Sequence, residues 1–170
     1  MNKKFFLIFG LVLLAGLSRL IPHPWNFTAL GAMALFSGSM LNNKKWALTA
    51  PVLTLLWTDL ILGFHITMIY VYASVVLITC LGFWAQTSKS KIITSSLLGS
   101  LIFFMTTNFG VWFSQNLYAK TFEGLIQCYV MALPFFENQI AGDFFYLAVL
   151  YGAYFSLKNL KPFSKSYSST

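Results

Sequence analysis

A succession of long apolar segments most constrains what this chain can fold into. Hydrophobic residues make up 58% of its 170 residues and charged residues only 9%, whereas about a quarter of the residues in a soluble globular protein are charged. A helix needs about 20 apolar residues to cross about 30 Å of hydrocarbon. The sequence therefore predicts one all-α membrane domain over residues 1–170, with six transmembrane helices.

The apolar runs and the polar stretches between them set the expected spans, at about residues 5–20, 29–41, 46–62, 66–84, 92–112 and 140–157. The second span is short, but Gly31, Ala34 and Gly38 give it small faces on which helices can approach closely. We therefore expect it inside the bundle. Apolar residues at helical spacing also predict a short amphipathic helix at about 121–133, ending at Pro134, in the connector before span six.

The first span has a second interpretation. Lys3 and Lys4 precede an apolar run, as in a secretory signal peptide. However, the apolar run continues into Arg19 without a polar stretch or a clear small-residue cleavage motif after Ala15. We therefore interpret it as a membrane span, while cleavage would leave the rest of the topology unchanged.

The distribution of basic residues predicts the orientation, because short cytoplasmic loops carry an excess of Lys and Arg. With cytoplasmic N- and C-termini, only Arg19 and Lys120 fall outside. The nine basic residues that fall inside are Lys3, Lys4, Lys44, Lys45, Lys89, Lys91, Lys158, Lys161 and Lys165. This pattern favours a multi-pass protein of the bacterial inner membrane. The net charge of +7 is dispersed over loops, which favours contact with lipid headgroups and argues against nucleic-acid binding.

In this orientation the four acidic residues lie on or near the outer side. Asp59 falls in the last turn of a helix, where the macrodipole disfavours a carboxylate, so a compensating charge is expected. Arg19 is the only arginine and lies at the same depth. We predict an Arg19–Asp59 ion pair, which either shapes a site or only fixes helix packing. Asp143 is expected in the first turn of span six, satisfied by the free N–H groups there.

The stretch 19–28 is the first outer loop. Its His23 lies between two prolines, which restrict the backbone, and His65 follows a glycine on the same side. No spacing typical of a metal site relates the two histidines, and Cys80 and Cys128 lie far apart in apolar surroundings. The sequence thus predicts no metal site, no disulfide framework and no cofactor.

Aromatic and amide side chains accompany these groups on the outer side. Trp25 and Trp112 offer stacking surfaces, although tryptophans at this depth also form the ordinary interfacial belt. Asn26 and Asn108 offer hydrogen bonds. A set of polar and aromatic groups on one face is typical of a small-ligand pocket. The candidate ligand-binding residues are Arg19, His23, Trp25, Asn26, Asp59, His65, Asn108, Trp112 and Asp143.

Catalytic motifs are not evident. The sequence shows no nucleophile elbow, zinc-protease motif, glycine-rich phosphate loop or carboxylates paired at a fixed spacing. We do not expect an enzyme, and a membrane-embedded enzyme stays an alternative built from Asp59, Asp143 and a histidine acting through space.

Several blocks of the chain resemble a group of small, functionally uncharacterised bacterial membrane proteins. These blocks span residues 18–28, 58–65, 107–112, 128–136 and 142–143. More distantly, the layout is similar to the S-components of energy-coupling factor vitamin transporters. That resemblance implies a six-helix protein which binds a vitamin in an outward pocket and works with an ATP-driven partner. The Ala-x-x-x-Ala coupling motif of their first helix is not matched here, where the nearest small residues are Gly10, Ala15 and Gly16.

The expected function is therefore capture and uptake of a small, vitamin-like molecule through an outward-facing pocket, aided by a coupling complex.

 We expect that partner to be an ATP-driven complex of the kind that the resemblance implies. Two other classes stay open at this point. One is a structural or assembly subunit whose outer face docks another protein and binds no ligand, which predicts an exposed convex patch around Trp25 and the 121–133 helix. The other is the membrane-embedded enzyme described above.

Overall fold

The computed structural model describes residues 3–86 and 88–158, and within these residues it is all-helical, with no strand. The all-α prediction is confirmed. Lys161 and Lys165 lie outside the described residues. The elements are α1 (Lys3–Gly16) followed by a 3₁₀ turn (Leu17–Leu20), α2 (Leu30–Met40), α3 (Lys44–Leu62), α4 (Met68–Ala85), α5 (Lys89–Ser114) and α6 (Phe122–Lys158).

Four of the described helices, α3 to α6, are long and apolar enough to cross a membrane. Many of their large apolar side chains point away from the bundle, including Leu53, Leu60 and Ile69. A bilayer can cover such side chains, and helices satisfy their own backbone hydrogen bonds as the hydrocarbon region requires. The chain therefore has the construction of a multi-pass membrane protein.

Helix α2 forms the centre of the bundle, as its small residues predicted. Every residue from Leu30 to Gly38 is buried, and α2 contacts each of the five other helices. At 11 residues it is about 16 Å long, roughly half of the hydrocarbon thickness. A helix this short begins and ends inside the bundle, so its terminal N–H and C=O groups need partners there.

Glycines bring α2 against α4. A Cβ at Gly38 would lie 2.1 Å from the Thr79 carbonyl oxygen, and one at Gly82 would lie 2.6 Å from the Leu35 carbonyl oxygen. Neither position has room for a side chain, because the obstacle is backbone on both sides. This contact is the small-residue packing that membrane helices use in place of a hydrophobic driving force.

The prediction of two separate segments at 121–133 and 140–157 is wrong, because one helix of 37 residues covers both. Pro134 lies inside α6 and does not end it. A proline removes the hydrogen bond to the carbonyl of the residue four positions earlier, here Val130, and one missing bond is a small loss within so long a helix. The connector between α5 and α6 is correspondingly short, at residues 115–121.

Candidate functional site

The predicted Arg19–Asp59 ion pair is confirmed. Arg19 lies in the 3₁₀ turn after α1, and its Nη1 is 2.7 Å from Oδ1 of Asp59 in the last turn of α3. Asp59 is only 1% exposed and the Arg19 side chain 11%. A buried carboxylate at a helix C-terminus opposes the macrodipole, and the guanidinium supplies the opposite charge that makes its burial tolerable.

Two hydroxyl groups complete the environment of this ion pair. Tyr72 on α4 donates to Oδ2 of Asp59 at 2.9 Å. The same Arg19 Nη1 donates to the hydroxyl of Thr58, which in turn donates to carbonyl oxygens one turn earlier in α3. The pair therefore joins the end of α1 to α3 and α4. Oδ1 of Asp59 has the charge contact with Arg19 but no hydrogen bond among the described residues, and Oδ2 accepts from Tyr72.

The second buried carboxylate, Asp143, is 2% exposed and lies near the middle of α6. The expectation that it occupies the first turn of its own helix is wrong, because α6 begins at Phe122. Its donors come from elsewhere: the Ser100 hydroxyl donates to Oδ2 at 2.6 Å, and the backbone N–H of Ala32 also donates to the carboxylate. Asp143 thus satisfies the N-terminus of α2, the end that favours negative charge.

Gly31 makes this arrangement possible. A Cβ at this position would lie 2.4 Å from Oδ1 of Asp143, so only glycine lets the carboxylate reach the first turn of α2. The N-cap residue of α2 is Ala29, whose methyl side chain cannot make a capping hydrogen bond. The carboxylate of a different helix takes the place that a capping side chain fills in a soluble protein.

Gln139 lies one turn before Asp143 on α6 and is 6% exposed. Its amide nitrogen donates to the Ser100 carbonyl oxygen at 3.1 Å and to the Asp143 carboxylate. Both N–H groups are therefore used, and Oε1 is buried with no hydrogen-bond partner among the described residues. Buried acceptors normally have a partner, so this oxygen indicates a place where a donor belongs.

Gln139 and Asp143 line a cavity of about 230 Å³. We call it the Arg19 cavity. The N-terminus of α2 and the Gln139–Asp143 turn of α6 form part of its wall, and Arg19 forms another part. Its lining residues are Arg19, His23, Asn26, Thr28, Leu30, Gly31, Leu62, His65, Val71, Phe103, Gln139 and Asp143. Five of the nine candidate ligand-binding residues, Arg19, His23, Asn26, His65 and Asp143, thus line one cavity.

The loop between the 3₁₀ turn and α2 carries His23 and Asn26 to this cavity. Asn26 has a positive φ of 61°, a conformation that asparagine adopts more readily than most residues, and its carbonyl oxygen accepts from the N–H of Thr28 at 3.0 Å. The loop backbone at Phe27 packs on α6, where a Cβ at Gly142 would lie 3.1 Å from the Phe27 Cα. Both contacts hold the loop over the cavity.

A second cavity of about 390 Å³ lies beside the first, and we call it the Asn108 cavity. It includes Trp25, Asn108 and Tyr118, and it shares Asn26, Val71 and Phe103 with the Arg19 cavity. Its amide is engaged locally, since Asn108 Nδ2 donates to the Phe104 carbonyl oxygen at 2.8 Å. The shared residues make the two cavities neighbouring parts of one polar region.

Two candidate residues lie outside both linings. Asp59 is behind Arg19, which covers it. The indole N–H of Trp112 donates to the Ala119 carbonyl oxygen at 2.8 Å, while Lys120 donates to the carbonyl oxygens of Trp112, Phe113 and Gln115 at the end of α5. Trp112 therefore secures the turn after α5, where the lysine caps the helix.

Sequence reasoning missed Ser100, Gln139 and Gly31. Their roles depend on where α2 begins relative to α5 and α6, which no local pattern contains. The available signal was a polar residue one turn before Asp143, since residues four apart share a helix face. Among the described residues no group of three or more His, Cys, Asp or Glu side chains gathers as a metal site.

The comparisons with known proteins support the resemblance to an uncharacterised family. No curated protein and no solved structure matches the chain. Residues 1–164 match the family described as "Family of unknown function (DUF6580)". Because this match covers nearly the whole chain, the chain belongs to that family.

Proposed function

We propose that the chain captures a small molecule within the membrane and serves its uptake, on the pattern of the S-components that its layout resembles. The observation that carries this proposal is the Arg19 cavity. At about 230 Å³ it lies just below the range of roughly 300–1,000 Å³ that is typical of ligand pockets, and the neighbouring Asn108 cavity adds about 390 Å³. A few converging polar groups in an apolar surrounding are what a small-ligand site needs.

The position of α2 supports the same function. Its N-terminus lies at Ser100 and Asp143, near the middle of α5 and α6. Half-length helices that end in a polar cavity recur in secondary transporters, where they form the substrate site near the middle of the bilayer.

The topology belongs to the same proposal. We take α1 with its 3₁₀ turn and α2 as the first two of six spans, with both termini in the cytoplasm of a bacterial cell. The excess of lysines at the opposite end of the bundle supports this orientation. The cavity then faces outward and is open to a molecule arriving from outside the inner membrane, while an ATP-driven complex is the proposed partner.

Native mass spectrometry tests the capture function. The protein is released from membranes in mild detergent, and the released small molecules are identified. In Val71→Trp an indole fills one of the residue positions shared by the two cavities, whereas Val76→Trp places the same ring on an exposed side of α4. We expect a bound molecule in the wild type and in Val76→Trp, and its loss in Val71→Trp. An empty wild-type protein, or equal retention in both variants, would contradict the proposal.

A second candidate function is that of an assembly subunit, which one observation favours. Trp25 is 78% exposed although it lies beside the cavity. The start of α6 also exposes Phe122, Ile126 and Val130, an apolar face for a partner or for lipid. Under this function the wild type would co-purify a subunit but no small molecule, and Trp25→Ala would lower the recovery of that subunit.

A further inference from the structure

The Gln139–Asp143 turn gives the Arg19 cavity a chemical preference. Resting on the proposed capture function, we propose that this turn is the specificity subsite and that it takes an N–H donor group: an amide, a urea-type group or a protonated nitrogen. The subsite consists of Gln139 Oε1 and the carboxyl group of Asp143. Both residues line the cavity, and because Oε1 itself is buried, a ligand donor reaches it through a small shift of the Gln139 side chain. An anionic ligand group is disfavoured there.

The unpartnered oxygen is the first argument. Since both amide hydrogens of Gln139 are used, towards Ser100 and Asp143, the orientation of the amide follows from its partners. Oε1 then remains as a buried acceptor without a donor among the described residues. Leaving such an acceptor unsatisfied is costly, and a ligand N–H removes this cost on binding. A ligand carboxylate would offer it no hydrogen.

The charge balance is the second argument. The N-terminus of α2 carries the equivalent of roughly +0.5 charge, which by itself would suggest an anion site. However, the carboxyl of Asp143 already occupies it and accepts from the Ser100 hydroxyl and the Ala32 N–H. Arg19 is likewise paired with Asp59, at 2.7 Å. The turn therefore presents electronegative acceptor oxygens, and an anion placed there would face them without a free arginine to attract it.

Three planar probes of nearly equal shape test this preference: acetamidinium, which offers only donors, acetamide, which offers both, and acetate, which offers only acceptors. The thermal unfolding of the full chain in detergent is followed at equal ionic strength, with sodium chloride as the reference. We expect acetamidinium at about 50 mM to raise Tm by about 1–3 °C, acetamide to raise it less, and acetate not at all.

Variants of Gln139 locate the effect. Gln139→Leu removes the acceptor and should abolish the shift. Gln127→Leu makes the same replacement at an exposed position of α6 and should keep it. Gln139→Met also removes the acceptor but keeps the length of the side chain, so it should abolish the shift as well. This variant decides the matter if Gln139→Leu does not fold.

Several results would overturn the proposal: an acetate shift as large as that of acetamidinium, no shift in the wild type, or the same shift in Gln139→Leu or Gln139→Met as in the wild type. Failure of the subsite and failure of the capture function can be told apart. A co-purified molecule without an N–H donor would leave capture intact and reject the subsite. Acetamidinium binding in a protein that co-purifies nothing would keep the subsite and reject capture.

Discussion

The two buried carboxylates, Asp59 and Asp143, are both nearly inaccessible, but their charges are balanced in different ways. Asp59 has a full counter-charge, Arg19, together with the Tyr72 hydroxyl. Asp143 has uncharged donors only, from Ser100, Gln139 and the α2 backbone. A full ion pair neutralises its site, whereas dipoles offset part of a charge. The first arrangement is complete in itself, and the second leaves an electronegative neighbourhood at the cavity.

The largest expected loss of stability comes from breaking the Arg19–Asp59 ion pair. Asp59→Leu leaves the Arg19 guanidinium buried without a counter-charge, which is expected to cost about 3–5 kcal/mol of unfolding free energy. The double variant Arg19→Leu/Asp59→Leu removes both charges and should recover most of that loss. Denaturant-induced unfolding in detergent measures both. If the double variant were as unstable as Asp59→Leu, the pair would not be the source of the loss.

The next effect tests the close approach of Asp143 to α2. Gly31→Ala places a Cβ where Oδ1 of Asp143 now lies, so the carboxylate must leave the Ala32 N–H. We expect a loss of about 1–3 kcal/mol from the unsatisfied groups and the displaced side chain. Thermal unfolding is again the measurement.

Gly152→Ala on α6 is the matched control for this change. Nothing lies within 4 Å of a Cβ at that position, and alanine is favoured over glycine in a helix by about 1 kcal/mol. The control should therefore be neutral or slightly stabilising. Equal destabilisation by both variants would mean that α2 does not pack on Asp143 as described.

The sequence predicted one of these two sites and not the other, for a physical reason. Arg19 is the only arginine, and a carboxylate at a helix C-terminus needs a cation, so depth and charge alone led to the pair. The partners of Asp143 follow from α2 beginning deep in the bundle and from α6 continuing through Pro134. Whether a helix ends at a proline, and how deep in the bundle a short helix begins, are decided by tertiary packing. The periodicity of apolar residues does not predict either one.

An effect of similar size is expected from the hydroxyl group of Tyr72, which hydrogen-bonds to Asp59. Tyr72→Phe removes the hydrogen bond to Oδ2, at 2.9 Å, and should cost about 1.5–3 kcal/mol because the acceptor is charged. Tyr146→Phe is the control, since the Tyr146 ring packs on Phe27 and Phe145 and its hydroxyl has no hydrogen bond among the described residues. Equal losses in the two variants would show that the hydroxyl of Tyr72 contributes nothing specific.

The smallest effect distinguishes the two carboxylates directly. Asp143→Asn keeps the shape of the side chain, and its amide can exchange donor and acceptor roles with the Ser100 hydroxyl. Only the attraction between its charge and the α2 N-terminus is lost, which is worth about 0.3–1 kcal/mol. Asp59→Asn, the same change of atoms, removes the counter-charge of Arg19 and should cost several times more. Thermal unfolding of the two variants side by side measures the ratio. A loss in Asp143→Asn as large as that in Asp59→Asn would mean that Asp143 is held by a full positive charge, and the electronegative character assigned to the Gln139–Asp143 turn would then be wrong.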